Sequence, residues 1–438
     1  MSLARLAERL RARELSPREA VESYLERIDA HSALNAYITV RAEEALAEAE
    51  APQPGPLYGA PIAVKDVIDV AGTRTTAASA ILRDHVPTRD AAVVERLRKA
   101  GGILLGKLNL HEFAYGALTT SPHFGPARNP WSPERVCGGS SGGSGAAAAA
   151  DLAAATLGTD TGGSIRIPAC FCGVTGLRPT IGLVSNDGVF PVSWTFDTVG
   201  PIARSAEDCA LLLDAIAGTQ TELGDGIRGL RVGVVEELLD RAEPEVAAAV
   251  QAAIDELGSL GAQVEPVTVP LLEEAGTIQQ LLMLPEATRV HLPWLRTRLA
   301  DYGADVRARL LAGLYLPATA YVSGLRARRR YCDELGKLLE RFDLLVAPEM
   351  PVIAPRIGEE TVSLKGHTVP YRLSVIPFNS PWSLAGLPAA SVPCGFVDGL
   401  PVGFVLVGRR FEEEVVLRAA HAFQQATDWH ERRPPGAA

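Results

Sequence analysis

The hydrophobic positions of this chain change repeatedly between the spacing of a helix and the spacing of a strand. In the first 50 residues the spacing is helical, with Leu3, Leu6 and Leu10 on one face. The run PIAVKDVIDV at 61–70 is the first apolar segment that predicts a buried strand. Helices and strands then alternate to the C-terminus, which is the pattern of an α/β protein.

The same two periodicities predict the later elements. Helices are predicted at 90–100, 145–156, 209–217, 244–257 and 412–426, and throughout a long region that ends near 341. Strands are predicted at 102–105, 230–235, 262–269, 342–348, 389–393 and 402–407. No internal repeat divides the chain, so we predict a single large α/β domain with a central mixed β-sheet covered by helices on both faces. Residues 1–50 are expected to pack on residues 51–438 as an N-terminal helical segment.

Composition and charge exclude several classes of function. Of the 438 residues, 47% are hydrophobic and 21% are charged, which is ordinary for a soluble globular enzyme. The net charge is −10, and the one basic run, at 326–330, falls in a helical pattern, so we expect no direct nucleic-acid partner. No stretch approaches the ~20 apolar residues of a membrane span, and the charged N-terminus does not resemble a secretory signal. We therefore expect a cytoplasmic protein that has no membrane partner.

The six cysteines do not predict a metal site. They form no CxxC pair and have no zinc-like spacing with histidine. Cys170 and Cys172 lie in an apolar stretch, where we expect them to be small buried hydrophobic residues.

Two turns rich in glycine and serine are the most informative feature of the chain. The first is GGSSGGS at 138–144 and the second is GTDTGGS at 158–164. Glycine is concentrated in this way where the backbone turns sharply or approaches another group closely. A helix of small residues separates Ser140 from Ser164, so the two hydroxyls could meet at one place among free backbone N–H groups. This arrangement points to a serine hydrolase.

Three other interpretations of these turns have less support. A flexible linker is disfavoured because apolar structure flanks both turns. A phosphate-binding loop is disfavoured because neither GxxxxGK[ST] nor GxGxxG is present. Residues 138–142 match the GxSxG of a nucleophile elbow, but a loop-like segment precedes them where that motif needs a strand. The later histidines lie in helical, turn or terminal contexts, so a Ser-His-Asp esterase is only an alternative.

Lys65 is the candidate base for such a serine. Strand alternation could place its side chain on a solvated face of the sheet. If the side chain is buried instead, desolvation lowers its pKa from about 10.4 toward 7–8. That shift corresponds to roughly 3.5–5 kcal/mol, which burial can supply. A buried Lys65 would then be a neutral base able to activate a hydroxyl.

Taken together, these motifs resemble the amidase signature family. GAPIAVKDVIDVAG, GGSSGGS and LGTDTGGSIRIPACFCGVTGLRPT occur in that order. The resemblance extends over most of the chain through GKLNLHEFAYG, HFGPARNPW, FDTVGPIARS and SLAGLPAASVPCG. It implies the amidase signature fold, with 51–438 as the catalytic domain and about 217–380 as a variable region around the substrate pocket. It further implies hydrolysis of a small-molecule amide, no metal or organic cofactor, and a homodimer as the family-level expectation.

The resemblance also implies a role for each residue of the two turns. Ser164 would be the nucleophile and Lys65 the neutral base. Ser140, which would follow a cis peptide bond, would relay the proton between them. The oxyanion hole would consist of the backbone N–H groups of Thr161, Gly162, Gly163 and Ser164.

Neighbouring residues are expected to support this triad. Ser141 would hydrogen-bond the turn, and Asp160 and Arg166 would form an ion pair that holds the oxyanion loop. His111 and His123 are expected to pack or hydrogen-bond near the cleft. The candidates for an apolar acyl pocket are Tyr115, Leu118 and Trp194, together with Phe190 and Trp382.

Two other functions within this fold remain alternatives. One is the glutaminase component of the tRNA-dependent amidotransferase. The chain departs from that component in the run ALTT at 117–120, in VFPVSWTFDTVGP after Gly188, and in the lack of an acidic residue in RLSVIPFNSPWSLAGLP. These departures favour a stand-alone amidase. A non-catalytic binding protein is disfavoured because all three triad residues are present.

Overall fold

A large mixed β-sheet runs through the whole molecule. The computed structural model describes residues 1–436. In this range the strands are β1 Tyr37–Val40, β2 Pro61–Lys65, β3 Ile103–Leu108, β4 Thr120–Ser121, β5 Gly125–Pro126, β6 Arg128–Asn129, β7 Ser132–Val136, β8 Ala155–Asp160, β9 Thr175–Arg178, β10 Thr198–Ala203, β11 Arg231–Val235, β12 Gln263–Val267, β13 Leu344–Pro348, β14 Thr361–Leu364, β15 His367–Pro370, β16 Ala389–Val397 and β17 Leu400–Gly408.

Fourteen α-helices are formed by the described residues. They are α1 Leu3–Arg11, α2 Pro17–Ala30, α3 Ala42–Glu50, α4 Ala92–Lys99, α5 Gly142–Ala149, α6 Arg166–Cys172, α7 Ala206–Ala217, α8 Glu236–Leu239, α9 Pro244–Ser259, α10 Leu272–Thr297, α11 Ala304–Leu314, α12 Ala318–Arg341, α13 Tyr371–Ala385 and α14 Glu413–Ala426. At the start of α2, Ser16 and Glu19 form the reciprocal hydrogen bonds of a capping box, with Pro17 in the first turn.

Eleven of the strands form the main sheet, in the order β1-β3-β2-β8-β10-β9-β16-β17-β13-β11-β12. The pairs β2–β3, β2–β8, β11–β12 and β11–β13 are parallel and the other pairs are antiparallel. The predicted α/β class with a central mixed sheet is confirmed. The order places β2, which ends at Lys65, directly beside β8, which ends at Asp160.

Several element boundaries differ from the predictions. The predicted helix at 145–156 ends at Ala149, because Asp151 adopts a left-handed φ of 53° and the following residues join the sheet as β8. Residues 1–50 contain the edge strand β1 as well as helices. The long helical region comprises α10, α11 and α12, and the strand predicted at 61–70 ends at Lys65. Helices α6 and α13 were not predicted.

Small residues allow α5 to lie deep in the protein. All of its eight residues are buried. A Cβ added to Gly143 would lie 2.5 Å from the carbonyl oxygens of Ala36 and Asn109, so only glycine fits there. The close packing holds the first glycine-serine turn, which leads into α5, against the end of β8. Among the described residues, no helix combines the length and the apolar character needed to cross a bilayer.

Candidate active site

Lys65 ends β2 with a fully buried side chain. Its Nζ lies 2.7 Å from the Ser140 Oγ and 2.7 Å from the Thr159 Oγ1. The adjacent carboxylate of Asp66 pairs with Lys107, at 2.8 Å, and not with Lys65. Burial lowers the pKa of Lys65 to about 7, although Asp160 and Asp197 act in the opposite direction. Strand alternation could have placed Lys65 in solvent, but its side chain is buried and its pKa is about 7.

The first glycine-serine turn places Ser140 beside this lysine. The peptide bond between Gly139 and Ser140 is cis. Ser141 connects the two turns: its backbone N–H donates to the Ser164 carbonyl at 3.2 Å, and its hydroxyl donates to the Thr159 carbonyl at 3.2 Å. Within residues 1–436, no hydrogen bond joins the Ser140 and Ser164 hydroxyls directly. Lys65 is thus in hydrogen-bond contact with Ser140, and Ser141 connects the first turn to the second.

Asp160 organises the second turn from inside the protein. Its carboxylate accepts hydrogen bonds from Arg166 Nε at 3.1 Å and from Arg178 Nη1 at 3.0 Å. All three side chains are fully buried. Burial alone would raise the pKa of Asp160, but the two guanidinium groups hold that pKa well below its usual range. The predicted Asp160–Arg166 pair is therefore part of a network that also includes Arg178.

The oxyanion-hole candidates are not equivalent in the structure. The Gly163 N–H donates to Asp160 Oδ1 at 2.8 Å, so it is not free to bind a substrate oxygen. In the described part of the chain, the N–H groups of Thr161, Gly162 and Ser164 have no backbone or side-chain acceptor. Gly163 has a φ of 112°, and a Cβ there would lie 2.2 Å from Asn379 Oδ1. We therefore correct the expectation: Gly163 shapes the turn, and the free donors are the other three.

Two residues that the sequence analysis missed hold Thr161. Its hydroxyl donates to Asp197 at 2.6 Å, and its carbonyl accepts from Gln279 at 2.9 Å. Burial raises the pKa of Asp197 to about 6. Asp197 lies in the quoted segment FDTVGPIARS, so its motif was visible but its role was not. Gln279 lies in the middle of α10, and nothing in the sequence distinguishes it from other helical residues.

A cavity of about 610 Å³ opens in front of these turns. Ser164, Thr161 and Gly162 lie in its wall, as do the predicted pocket residues Tyr115 and Leu118. Trp194 does not line the cavity, because its side chain points outward and is 55% exposed. The cavity is lined further by Ile167, Val192, Met283, Tyr371, Val375 and Ile376, and by the polar residues His111, Gln279, Gln280, Asp305, Arg309, Glu360, Arg372 and Ser380.

The other aromatic and histidine candidates lie apart from the reacting groups. Trp382 is fully buried in the core. Phe190 packs against Phe113, with ring centroids 5.2 Å apart. His111 lines the cavity and contacts Asp305 at 2.8 Å, whereas His123 lies 3.4 Å from Glu112. The His111 backbone N–H donates to the Ser140 carbonyl at 3.0 Å, but neither imidazole hydrogen-bonds the hydroxyl of Ser140 or Ser164. The geometry therefore gives no support to a Ser-His-Asp arrangement. Among residues 1–436, no group of three or more His, Cys, Asp or Glu side chains could hold a metal ion.

This arrangement is suited to nucleophilic attack on a carbonyl group. A buried lysine whose pKa is about 7 can accept a proton from a hydroxyl. Serine hydroxyls can both donate and accept hydrogen bonds. Free N–H groups at a turn stabilise the oxyanion of a tetrahedral intermediate.

The chain is similar to known proteins over most of its length. The family model described as Amidase matches residues 19–417. The chain is 40% identical to the glutamyl-tRNA(Gln) amidotransferase A subunit of Moorella thermoacetica, with 98% of this chain and 97% of the relative covered. That alignment has 480 positions, 42 more than the 438 residues of this chain.

Two solved structures are similar over almost the whole chain. A crystal structure of an amidase has a TM-score of 0.93 and 36% identity, with 97% of this chain and 100% of that chain covered. The glutamyl-tRNA(Gln) amidotransferase A subunit of Thermotoga maritima has a TM-score of 0.82 and 37% identity, with 94% and 92% covered.

Proposed function

Because the chain belongs to the amidase family, we propose that it hydrolyses a small carboxylic amide through an acyl-enzyme on Ser164. The family makes it a hydrolase that acts on carbon–nitrogen amide bonds. The observation that supports the specific mechanism is the fully buried Lys65, whose Nζ lies 2.7 Å from Ser140 Oγ behind the cavity that contains Ser164.

The first half of the reaction forms the acyl-enzyme. Ser164 Oγ attacks the amide carbonyl, and its proton passes through the Ser140 hydroxyl to neutral Lys65. The N–H groups of Thr161, Gly162 and Ser164 stabilise the oxyanion. The proton then returns through Ser140 to the amide nitrogen. The C–N bond breaks, ammonia or an amine leaves, and the acyl group remains as an ester on Ser164.

The second half releases the acid. Water attacks the ester carbonyl while Ser140 and Lys65 take its proton. Returning that proton to Ser164 Oγ breaks the ester bond and restores the enzyme. Both halves need a relay that donates and accepts in turn, which a hydroxyl can do and an ammonium cannot. Lys65 must therefore be neutral when the cycle begins.

The pKa of Lys65 predicts a specific pH dependence. Because the unprotonated amine is the active form, kcat/KM should fall about tenfold per pH unit below pH 7 and level off above it. The measurement is kcat/KM from pH 5 to 9, with circular dichroism at each pH to confirm folding. Asp197, whose pKa burial raises to about 6, is another group that could titrate in this pH range. The fall in kcat/KM below pH 7 should persist in Asp197→Asn. If kcat/KM rises only near pH 10, Lys65 is not neutral at pH 7 and the prediction is wrong.

A second candidate function has support from the curated relatives. The relative from Moorella thermoacetica is an amidotransferase A subunit, as is one from Methanosarcina mazei, and this similarity favours that function over a stand-alone amidase. In that case the same serine chemistry would release ammonia from glutamine for use by a larger assembly. Glutamine-dependent amidation of Glu-tRNA(Gln), assayed with ATP and with the remaining amidotransferase components present or omitted, separates the two. Rapid hydrolysis of small amides by the chain alone supports the stand-alone enzyme.

The shared chemistry can be tested before the substrate is known. A serine-directed fluorophosphonate should form one adduct, on Ser164, detected by intact mass and peptide mapping. Lys65→Ala should lose the adduct or form it far more slowly, because no base remains to activate the hydroxyl. No adduct in the folded protein, or an adduct on Ser140 or Ser141 that does not depend on Lys65, would refute the mechanism.

A further inference from the structure

The hydroxyl of Tyr115 lacks a hydrogen-bond partner in the cavity wall. The residue is 4% exposed and lines the cavity. Its hydroxyl is buried and contacts no donor or acceptor among the described residues. Burial raises the pKa of Tyr115 to about 12, so the hydroxyl keeps its proton and can donate it to a hydrogen bond. Because buried polar groups in proteins almost always have a partner, a ligand in the cavity is expected to supply one.

Arg309 lies directly over this tyrosine. Its guanidinium carbon is 4.9 Å from the centre of the Tyr115 ring, which is cation–π geometry. The guanidinium also pairs with Asp305, four residues earlier on α11. Asp305 in turn contacts His111 Nε2 at 2.8 Å. These contacts hold the Arg309 guanidinium at the cavity, where it remains a fixed positive charge.

Arg372 is a second guanidinium in the cavity wall, at the start of α13. Its side chain donates to Gln280 Oε1 at 2.6 Å. No acidic group lies within 4 Å of it in the part of the chain that the structure describes. Arg372 is exposed to solvent on one side, while desolvation by the cavity wall, and then the like charge of Arg309, lowers its pKa. Two neighbouring cations with only one acidic partner between them favour the binding of an anion.

Acidic residues are present in the cavity wall, but they do not neutralise Arg372. Asp305 is engaged with His111 and Arg309. Glu360 lines the cavity with an exposed side chain and forms no ion pair among the described residues. The Tyr115 hydroxyl and the Arg372 N–H groups that are not bound to Gln280 thus have no acceptor among the described residues.

We propose that the substrate amide carries a carboxylate, which is bound by Arg372, Arg309 and the Tyr115 hydroxyl while the amide carbonyl lies at Ser164. The inference rests on the hydrolysis proposed above and names its substrate class. A carboxylate has two oxygens and about four acceptor sites, and it can accept two parallel bonds from one guanidinium. Half-amides of dicarboxylic acids belong to this class, as do amino acids whose side chains end in an amide.

The test compares substrates that differ in the charge. Glutaramate and pentanamide have the same length, and only glutaramate carries the carboxylate. We expect kcat/KM to be about 100-fold higher for glutaramate, in line with one or two charge-assisted hydrogen bonds. Arg372→Met and Tyr115→Phe should each lower the glutaramate-to-pentanamide ratio about tenfold or more. Tyr115→Phe keeps the ring beneath Arg309, so it isolates the hydroxyl.

The controls separate this inference from the mechanism on which it rests. Arg330→Met, on the exposed side of α12, should leave the ratio unchanged. If the fluorophosphonate labels Ser164 but glutaramate is no better than pentanamide, the carboxylate site is wrong and the mechanism stands. If Ser164 is not labelled, the mechanism itself fails. Glutamine is a third substrate: a preference for glutamine over pentanamide that Arg372→Met removes supports the same carboxylate site.

Discussion

Ser164→Ala is expected to lower kcat/KM for amide hydrolysis by about 10⁴-fold or more. The substitution removes the atom proposed to form the acyl-enzyme and leaves only binding and oxyanion stabilisation, which account for a small part of the rate in serine hydrolases. The fold should be unaffected, because Ser164 lies in the cavity wall and the backbone contact from Ser141 to the Ser164 carbonyl remains. The rate of ammonia release from a primary amide gives kcat/KM for the wild type and the variant. The two purified proteins should have the same unfolding midpoint.

Ser141→Ala is the matched control for that experiment. Ser141 lies in the other glycine-serine turn, and its hydroxyl is bound to the Thr159 carbonyl. Loss of this hydroxyl should lower the unfolding free energy by about 1 kcal/mol. It should reduce amide hydrolysis much less than Ser164→Ala does. Activity above a few per cent of wild type in Ser164→Ala, together with complete loss in Ser140→Ala, would identify Ser140 as the nucleophile.

Asp160→Ala is expected to be the most destabilising single substitution in the site. It would leave Arg166 and Arg178 fully buried without their carboxylate, and breaking one side of a buried ion pair costs about 3–5 kcal/mol. The N–H groups of Gly163 and Ile165 would also lose their acceptor. Urea denaturation measures the change in unfolding free energy. The variant should also lose amide hydrolysis, because the turn at 158–164 no longer holds its shape.

Asp225→Ala is the control that shows how little the loss of an ordinary surface carboxylate changes the unfolding free energy. Asp225 faces solvent with 80% exposure and lies 3.7 Å from Arg418, so Asp225→Ala should leave the unfolding free energy nearly unchanged. Because the pKa of Asp160 lies below its ordinary value of 3.8, its stabilising contribution should be full above that pH and decline as pH falls below it. A loss below about 1 kcal/mol in Asp160→Ala would contradict the central role of its charge.

Local pattern predicted those elements whose residues determine their own conformation. The helical spacing of Leu3, Leu6 and Leu10 is visible in the sequence and forms α1, and the apolar run that begins at Pro61 forms β2 as far as Lys65. β8 was missed because its first residues continue an alanine-rich run that predicts a helix, and its last residues belong to the segment GTDTGGS that predicts a turn. It becomes a strand by pairing with β2 and β10. α13 was missed because Pro377 and Pro381 lie inside it.

The candidate site was predictable to the extent that its residues lie in compact motifs. Lys65 and Ser140 were expected to act together, and the structure places them in hydrogen-bond contact. The engagement of the Gly163 N–H by Asp160 was not predictable, since it depends on how the turn folds back on its own carboxylate. Gln279 was missed for a different reason. Its contact with Thr161 joins residues 118 positions apart, which no local pattern encodes.

The position of β9 in the sheet has a consequence for the synthesis of the chain. β9 contains Arg178, one of the two arginines that hold Asp160, and its other edge pairs with β16, where Ala389 lies opposite Arg178. Ala389 follows Ser164 by 225 residues. At about 5–20 residues per second, a ribosome needs roughly 10–45 s to make that interval. A nascent chain therefore contains Lys65, Ser140 and Ser164 long before β9 has its final neighbour. We expect the candidate site to reach its final form only near the end of translation.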